Sequence, residues 1–283
     1  MEKIAYIMDS SCFLSEKEVM EKDMFFVPLH IIVEGEDFLE GKNLDKEYIS
    51  QAIKDRKNVT TSQPSPGEIM ELIEKLKQQG YTCGIFSSIG SGLSKTIESA
   101  VSIAAGEDFK IHALDSGSVG NAQVNPLQKI RKLIEEQGYS VEDAITRVQE
   151  DVAQSLTLLL PDDLFHLSRG GRITSAAAAV GSMLKIKPIL TLVVANGGKI
   201  DVIEKVRTSK KANKRMAELA LEGKDMSEYE ILVAHFDGYE RMQEIKEELL
   251  KINPDMDIDE FELTTVIGVH TGLNSVGIQI CKK

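Results

Sequence analysis

Hydroxyl side chains in front of a helix are the first feature that could do chemistry. Thr61 and Ser62 precede a helix start in which Ser65 is the N-cap, Pro66 the first helical residue and Glu68 the third residue past the cap. Pro64 and Pro66 exclude a helix or an inner strand across this segment. The pattern predicts a stiff loop at the positive end of an amphipathic helix, where neutral donors can bind an anion. The alternative is a capped helix preceded by ordinary polar residues.

A second serine-rich loop lies at residues 87–94, between a predicted strand at 82–86 and a predicted helix that ends near Ala105. Its glycines are misplaced for a nucleotide-binding P-loop and for a dinucleotide fingerprint, and it contains no G-x-S-x-G nucleophile elbow. What remains is a hydroxyl-bearing loop between a strand and the N-terminus of a helix. Ser91 is the natural anion donor there, and Ser94 is the second choice.

One histidine and two arginines are further candidates for ligand contacts. The five histidines show no H-x-H or H-x-x-x-H spacing, so a metal site has no local support in the sequence. His270 lies in a predicted loop of glycine and threonine at residues 268–272, and it is either a ligand contact or a structural histidine. Arg169 and Arg172 flank a Gly-Gly turn and would suit a carboxylate or phosphate of a partner, or form an ordinary solvated turn.

The elements that must position these residues alternate between strand and helix. Predicted strands at 4–8, 82–86 and 109–114 are each followed by a helical pattern, which is typical of a parallel sheet with helices on both faces. These strands end in serine-containing loops, at residues 9–11, 87–88 and 115–116. Because open α/β sheets bind ligands at the carboxyl ends of their strands, the loops predict a binding crevice.

The second half of the chain has a different pattern of elements. We place a domain boundary near Pro161, which gives an N-terminal α/β domain at residues 1–160 and a C-terminal α/β domain at residues 161–283. A helix of very small residues is predicted at 174–184, and Asn196-Gly197-Gly198 predicts a hairpin. The hairpin and the shorter strands favour a mixed sheet with helices in this domain.

The composition narrows the class of protein. The chain has 283 residues with a net charge of −12, which argues against nucleic acid or an anionic membrane surface as a general partner. Cys12, Cys83 and Cys281 are far apart without a C-x-x-C motif, so a disulfide framework is not expected and a reducing cytosol is the natural location. We expect neither a signal peptide nor integral membrane association, since no apolar run approaches the ~20 residues of a membrane span.

Considered as an ordered set, the motifs resemble the DegV family of bacterial fatty-acid-binding proteins. The matching pieces span nearly the whole chain and are Asp9-Ser10, Thr61-Ser62-Gln63-Pro64-Ser65-Pro66-Gly67-Glu68, Ser91-x-Leu93-Ser94-x-Thr96, Asp115-Ser116, Asp163-Leu164 with Gly170-Gly171-Arg172-Ile173, Lys187-Pro188-Ile189-Leu190, Lys205-Val206-Arg207 with Lys210-Lys211-Ala212, and Ile267-Gly268-x-His270-Thr271-Gly272.

The resemblance implies two α/β domains with a long-chain fatty acid in an apolar tunnel between them. No other cofactor is implied. Carried over by position, the residues that bind the fatty-acid carboxylate are Thr61, Ser62, Ser91 and His270. Further candidate ligand contacts are Ser94, Arg207 and Thr271.

The resemblance also implies a role as the acyl-carrying subunit of a fatty acid kinase rather than as an enzyme. A separate ATP-dependent kinase would phosphorylate the presented carboxylate, and Arg172 with Arg169 would belong to the surface that meets it. A serine-dependent hydrolase or acyltransferase, built from Ser91, Ser94 and His270, is the alternative. A sugar- or nucleotide-binding module is a third hypothesis.

Three positions depart from the usual pattern of the family. Lys95 replaces a glycine after the serine loop and could add a cation near the carboxylate. Leu273-Asn274 replaces a Pro-Gly pair, and Asn121-Ala122 replaces part of a glycine-rich run. The carboxylate contacts survive all three departures, but the preferred chain length of the ligand could change.

Overall fold

A computed structural model of the protein describes residues 3–162, 164–180, 186–192 and 198–283. The strands are β1 (Ile4–Asp9), β2 (Phe25–Val27), β3 (His30–Val33), β4 (Glu36–Leu39), β5 (Val59–Ser62), β6 (Cys83–Ser88), β7 (Lys110–Asp115), β8 (Leu156–Leu160), β9 (Lys187–Leu192), β10 (Ile200–Val206), β11 (Tyr229–Phe236), β12 (Ile258–Glu262) and β13 (Ser275–Lys282). The α-helices are α1 (Glu16–Glu21), α2 (Lys46–Lys54), α3 (Pro66–Gln78), α4 (Thr96–Gly106), α5 (Asn121–Gln137), α6 (Val141–Gln154), α7 (Phe165–Gly170), α8 (Ser175–Val180), α9 (Ser209–Leu221), α10 (Tyr239–Ile252) and α11 (Thr265–Thr271).

The N-terminal half contains the expected parallel sheet. Its strands lie in the order β2-β1-β6-β7 and are parallel throughout. Helices α5 and α6 pack on one face, where Leu127 and Val148 join the core, and α3 and α4 pack on the other, where Ile73 and Ala100 do so. The predicted α/β layering with helices on both faces is therefore confirmed.

The second sheet has six strands in the order β10-β9-β8-β13-β11-β12. β11 and β12 are parallel and the other neighbours are antiparallel, so the sheet is mixed, as predicted. β8 precedes the proposed boundary at residue 160 and pairs with β9 and β13 in this sheet. The boundary itself stays a prediction.

A third sheet, with the antiparallel order β4-β3-β5, corrects the prediction of a loop at Thr61 and Ser62. Both residues belong to β5, in which Thr61 pairs with Ile31 and Ser62 with His30. The prolines lie just beyond the strand and so do not interrupt it. Helix α3 begins as predicted, with the Ser65 capping box.

The segment around His270 is a helix rather than the predicted loop. Helix α11 spans Thr265–Thr271, and its residues Val266 and Val269 are buried in a core formed with β11 and the third sheet. Gly268 lies against the ring of Phe236, where a Cβ atom would come within 2.4 Å of ring carbons. Close packing on a buried aromatic ring thus explains a glycine inside this helix.

A short helix, α7, was also not predicted. It ends at the expected Gly-Gly turn, where Gly171 adopts a φ of 70°. β9 and β10 pair in antiparallel fashion, as the hairpin prediction requires. The turn residues Asn196 and Gly197 lie outside the described residues, as do Asp163 of the family motif and residues 181–184 of the predicted small-residue helix.

Candidate functional site

An apolar cavity lies between the carboxyl ends of the parallel strands and the six-stranded sheet. The empty space inside it, counted up to the open solvent at its mouth, is about 870 Å³. Its apolar wall includes Ile89, Val119, Leu159, Leu192, Leu263 and Val266. The cavity is therefore a gap in the hydrophobic core where the three sheets meet.

The loops at the strand ends are fixed by a buried carboxylate. Asp9, which is wholly buried, accepts hydrogen bonds from the backbone N–H and hydroxyl of Ser11 at 2.9 and 2.6 Å. Its other oxygen accepts from the backbone N–H of Ile89 at 2.7 Å. Burial raises the pKa of Asp9, and the bonds from Ser11 and Ile89 oppose that rise. Asp9 thus joins the ends of β1 and β6 and supports the cavity wall instead of binding a ligand.

Ser91 is held in a similar way on the neighbouring loop. Its backbone N–H donates to Asp115 at 3.1 Å, and the same oxygen accepts from the N–H of Gly117 at 2.9 Å. Gly90 crosses the backbone of this second loop so closely that a Cβ atom would lie 2.6 Å from the carbonyl carbon of Gly117. In this arrangement Ser94 lines the cavity, whereas Ser91 does not.

A hydroxyl–imidazole pair forms the polar end of the cavity. Thr61 Oγ1 and His270 Nε2 lie 2.7 Å apart in a hydrogen bond between β5 and α11. Burial, together with the smaller effects of the positive charges of Arg172 and His166, lowers the pKa of His270 to about 4. The imidazole is consequently neutral near pH 7, and it presents either a donor or an acceptor to its neighbours.

Two contacts, one near each end of helix α11, help to fix the position of the His270 ring. Gly170, at the end of α7, lies so close that a Cβ atom would come within 2.4 Å of His270 Nδ1. At the start of α11, Glu40 accepts a hydrogen bond from the backbone N–H of Val266 at 2.7 Å. Burial raises the pKa of Glu40 to about 7, although bonds from Val266 and Thr265 favour its ionised form.

Arg172 folds into the cavity wall instead of extending into solvent from the Gly-Gly turn. Its Nε donates to the carbonyl of Leu93 at 3.2 Å and its Nη1 to the carbonyl of Gly170 at 2.6 Å. Among the described residues that line the cavity, it is the only one with a formal charge. Arg172 can therefore offer a cation to a ligand beside His270.

The structure brings together only some of the predicted contacts. The cavity is lined by Thr61, Ser62, Ser94, His270 and Thr271. Ser91, Arg169 and Arg207 do not line it, and Arg207 is exposed after β10.

The positions that depart from the family pattern lie outside the cavity as well. Lys95 pairs with Glu98 at 2.7 Å, and Asn121 donates its backbone N–H to Gln279 at 3.1 Å. Neither Leu273 nor Asn274 is a lining residue of the cavity. The roles of all of these residues stay predictions.

Two residues with polar contacts at or near the cavity were not among the sequence predictions. Glu40 carries no local pattern that links it to α11, because the backbone N–H from which it accepts, that of Val266, is 226 positions away. The position of Gln279 could have been noticed in the sequence, since it is a polar residue within an apolar strand. Its side chain lines the cavity and donates to the carbonyl of Val119 at 2.6 Å and to Thr157 at 3.1 Å.

No group of three or more metal-binding side chains positioned to hold an ion occurs within the described part of the chain. Over the same residues, no helix has the length and apolar character needed to cross a membrane.

Comparison with known proteins assigns the chain to a family. The family model described as "Uncharacterised protein, DegV family" matches residues 3–283. A DegV domain-containing protein of Halalkalibacterium halodurans is 33% identical over 281 residues, covering 98% of each chain. The crystal structure of DegV, a fatty acid binding protein from Bacillus subtilis, has a TM-score of 0.86 at 32% identity and full coverage of both chains. That of a fatty acid binding DegV family protein from Streptococcus agalactiae has a TM-score of 0.88 at 27% identity, also with full coverage of both. This chain belongs to the DegV family.

Proposed function

We propose that the protein binds a long-chain fatty acid and presents its carboxylate to a separate kinase. One observation carries the proposal: an apolar cavity ends at the hydrogen-bonded pair of Thr61 and His270, next to Arg172. The Bacillus subtilis and Streptococcus agalactiae relatives of the same fold are fatty-acid-binding proteins, which supports the same ligand class here.

The acyl tail would supply most of the affinity. Each CH₂ group moved from water into the cavity contributes about 0.8 kcal/mol. The tail would lie against the apolar wall formed by residues such as Ile89, Leu159 and Leu263. The preference for long acids therefore follows from the apolar surface rather than from a specific polar contact.

The carboxylate needs partners because an unpaired buried charge costs several kcal/mol. If His270 carries its proton on Nε2, it donates to Thr61, and the threonine hydroxyl is then free to donate to the ligand. Ser62 and Ser94 also line the cavity, where the Ser62 hydroxyl donates to the carbonyl of Gln63 at 3.1 Å and would have to turn to reach a ligand. Arg172 adds a full positive charge. Ser91 belongs to the set implied by the resemblance.

Phosphorylation of the presented carboxylate would take place on the kinase rather than on this chain. A carboxylate oxygen of the bound acid attacks the γ-phosphorus of ATP on the partner, giving an acyl phosphate and ADP. Arg169 is exposed and suits a docking surface for that partner, as the resemblance implies. The chain would act in the cytoplasm as a carrier and contribute positioning rather than catalysis.

The ligand can be identified directly. Native mass spectrometry of the purified protein should show an additional mass that corresponds to a long-chain fatty acid. Denaturation and organic extraction should release the same acid. A protein that is free of lipid and takes up no added fatty acid would contradict the proposal.

Removal of the threonine hydroxyl should weaken the complex. We expect Thr61→Val to raise the Kd for a fatty acid about tenfold, since loss of one partner of a buried charged group costs about 1–3 kcal/mol. Thr146→Val is a matched control, because Thr146 donates to Glu142 on the exposed face of α6. Isothermal titration with both variants measures the difference, and equal affinities would remove Thr61 from the site.

The serine loop allows a second comparison within the same assay. Because Ser94 lines the cavity and Ser91 does not, Ser94→Ala should weaken binding more than Ser91→Ala. A larger loss for Ser91→Ala would instead support the contact implied by the resemblance.

A serine-dependent hydrolase or acyltransferase is the competing function. The imidazole of His270 pairs with Thr61 and not with a serine, and a histidine with a pKa of about 4 is a weak general base near pH 7. A fluorophosphonate probe tests this function, because it labels an activated serine covalently. Labelling that disappears in Ser91→Ala or Ser94→Ala would favour the enzyme over the carrier.

A further inference from the structure

A group of polar side chains interrupts the apolar wall of the cavity at the six-stranded sheet. Thr157 on β8 and Gln279 on β13 lie directly opposite each other in this sheet, and both line the cavity. Ser118 precedes α5, and its Oγ lies 2.8 Å from Thr157 Oγ1. All three residues are buried. We call Ser118, Thr157 and Gln279 the inner polar cluster.

The inner polar cluster is far from the residues proposed to bind the carboxylate. Thr271 follows His270 in the chain, and its hydroxyl is hydrogen-bonded to that of Ser275 at the start of β13. Gln279 lies four residues further along this strand, which advances about 3.3 Å per residue and so about 13 Å in all. A C–C bond is about 1.5 Å long, so an extended acyl chain covers this distance in roughly ten carbons. An acyl chain that runs along β13 would therefore place its middle carbons at the cluster.

The orientation of the Gln279 amide is fixed at both of its polar atoms. Its Oε1 accepts a hydrogen bond from the backbone N–H of Asn121 at 3.1 Å. Its Nε2 donates to the carbonyl of Val119 at 2.6 Å and to Thr157 Oγ1 at 3.1 Å. Gln279 therefore acts on the Thr157 hydroxyl only as a donor.

One hydroxyl hydrogen in the cluster has no acceptor. Ser118 and Thr157 have two hydroxyl hydrogens between them, and one of these forms the bond that joins them. Among the residues that the structure describes, neither hydroxyl has an acceptor for the other hydrogen. If Ser118 donates, Thr157 accepts from both Ser118 and Gln279, and its own hydrogen is left at the cavity wall. A buried donor without an acceptor costs free energy, which an oxygen atom of a ligand would recover.

We propose that the cavity binds fatty acids that carry an oxygen near the middle of the acyl chain, as a hydroxyl or a keto group, and that Thr157 donates a hydrogen bond to this oxygen. The inference rests on the proposed function, because it concerns the acyl chain of the same ligand. An unsubstituted chain would leave the Thr157 hydrogen unpaired, and a chain oxygen would have no partner in a wholly apolar cavity. The cluster carries no formal charge, which suits a neutral oxygen rather than a second carboxylate.

Binding of octadecanoate and 10-hydroxyoctadecanoate, which differ by one oxygen atom, tests the proposal. We expect the parent protein to bind the hydroxy acid at least as tightly as octadecanoate. Thr157→Val keeps the shape of the side chain without the hydroxyl. It should raise the Kd for 10-hydroxyoctadecanoate about tenfold and change that for octadecanoate less than about threefold. Thr157→Ser retains a hydroxyl and should keep the ratio of the two Kd values close to that of the parent protein.

Thr191→Val is the matched control for these variants. Thr191 is also a buried threonine of the six-stranded sheet, and it donates to the carbonyl of Thr157 at 3.3 Å without lining the cavity. Its replacement should leave the ratio of the two Kd values unchanged.

A third ligand, 10-oxooctadecanoate, distinguishes the two kinds of chain oxygen. Its keto oxygen can only accept a hydrogen bond, as the spare hydrogen of Thr157 requires. Binding as tight as that of the hydroxy acid would assign the cluster to any acceptor oxygen in the middle of the chain. Tighter binding of the hydroxy acid alone would restrict the class of ligand to hydroxy acids.

The outcomes separate this inference from the function on which it rests. A parent protein that binds 10-hydroxyoctadecanoate more weakly than octadecanoate would overturn the inference and leave the fatty-acid carrier intact. Equal effects of Thr157→Val on both acids would do the same, since they would indicate a structural role for the hydroxyl. Failure of the parent protein to bind any of the acids would overturn the proposed function as well.

Discussion

Replacement of Glu40 by glutamine is expected to make the free energy of unfolding rise more steeply with pH than in the parent protein. Burial raises the pKa of Glu40 from 4.5 to about 7, so between these values the folded protein keeps a proton that the unfolded chain has lost. The parent protein therefore loses stability at this site as the pH rises from about 4.5 to 7. At about 1.4 kcal/mol per pKa unit, the loss amounts to about 3 kcal/mol.

His270 should have the opposite effect on the way that the free energy of unfolding changes with pH. Its pKa is lowered from 6.5 to about 4, so the unfolded chain gains a proton between these values before the folded protein does. Stability at this site is fully present above pH 6.5 and is lost as the pH falls toward 4. The two effects oppose each other in the parent protein, so His270→Gln should leave the loss of stability at Glu40 with rising pH unopposed by His270.

Urea unfolding of the lipid-free proteins from pH 4.5 to 7.5 measures both effects. The Glu40→Gln and His270→Gln curves should diverge in opposite directions from that of the parent protein. The variant that carries both substitutions should return close to the parent slope. If all four curves run parallel, neither group titrates as its burial implies.

The second large effect is expected at Gly268. Gly268→Ala should lower the free energy of unfolding by about 1–3 kcal/mol, because an overfilled core forces its neighbours to move. The new methyl group would lie 2.4 Å from ring carbons of Phe236, which is fully buried. Since alanine is otherwise the better helix residue by up to about 1 kcal/mol, a loss of stability must come from this contact.

Gly106→Ala is the matched control for this substitution. Gly106 is also helical, at the end of α4, and a Cβ atom there meets nothing within 4 Å. It should leave the stability unchanged or raise it slightly. Combining Gly268→Ala with Phe236→Leu should recover part of the loss, and purely additive effects in this double-mutant cycle would show that the ring is not the cause.

Local signals made parts of the fold predictable. The start of α3 follows from Ser65, Pro66 and Glu68, whose interactions span three residues. The strand at Thr61 was missed because its hydrogen bonds run to Ile31, 30 positions away, whereas the prolines that suggested a loop are close neighbours. Helix α11 was missed because glycine has a low helix propensity. The reason for a glycine at position 268 is the ring of Phe236, which is distant in the sequence.

The sequence indicated some of the residues that meet at the cavity, but it did not indicate their geometry. Thr61 and His270 are 209 positions apart, and the family resemblance, not any local pattern, placed them at one ligand. The turn that carries Arg172 was predicted, but the direction of the side chain depends on the carbonyl of Leu93 in another loop. The choice between Ser91 and Ser94 likewise depends on a backbone bond to Asp115.

The cavity has a consequence for the lifetime of the protein. Its walls extend from Phe13 to Gln279, so no single segment can form it and any occupant binds only the folded chain. An occupant thus acts as a removable part of the hydrophobic core. The free energy of unfolding therefore depends on the concentration of the free occupant. A free ligand at a hundred times its Kd adds about 2.7 kcal/mol to stability. Empty molecules would unfold and be degraded first, so the supply of the occupant would set how much of the protein a cell retains.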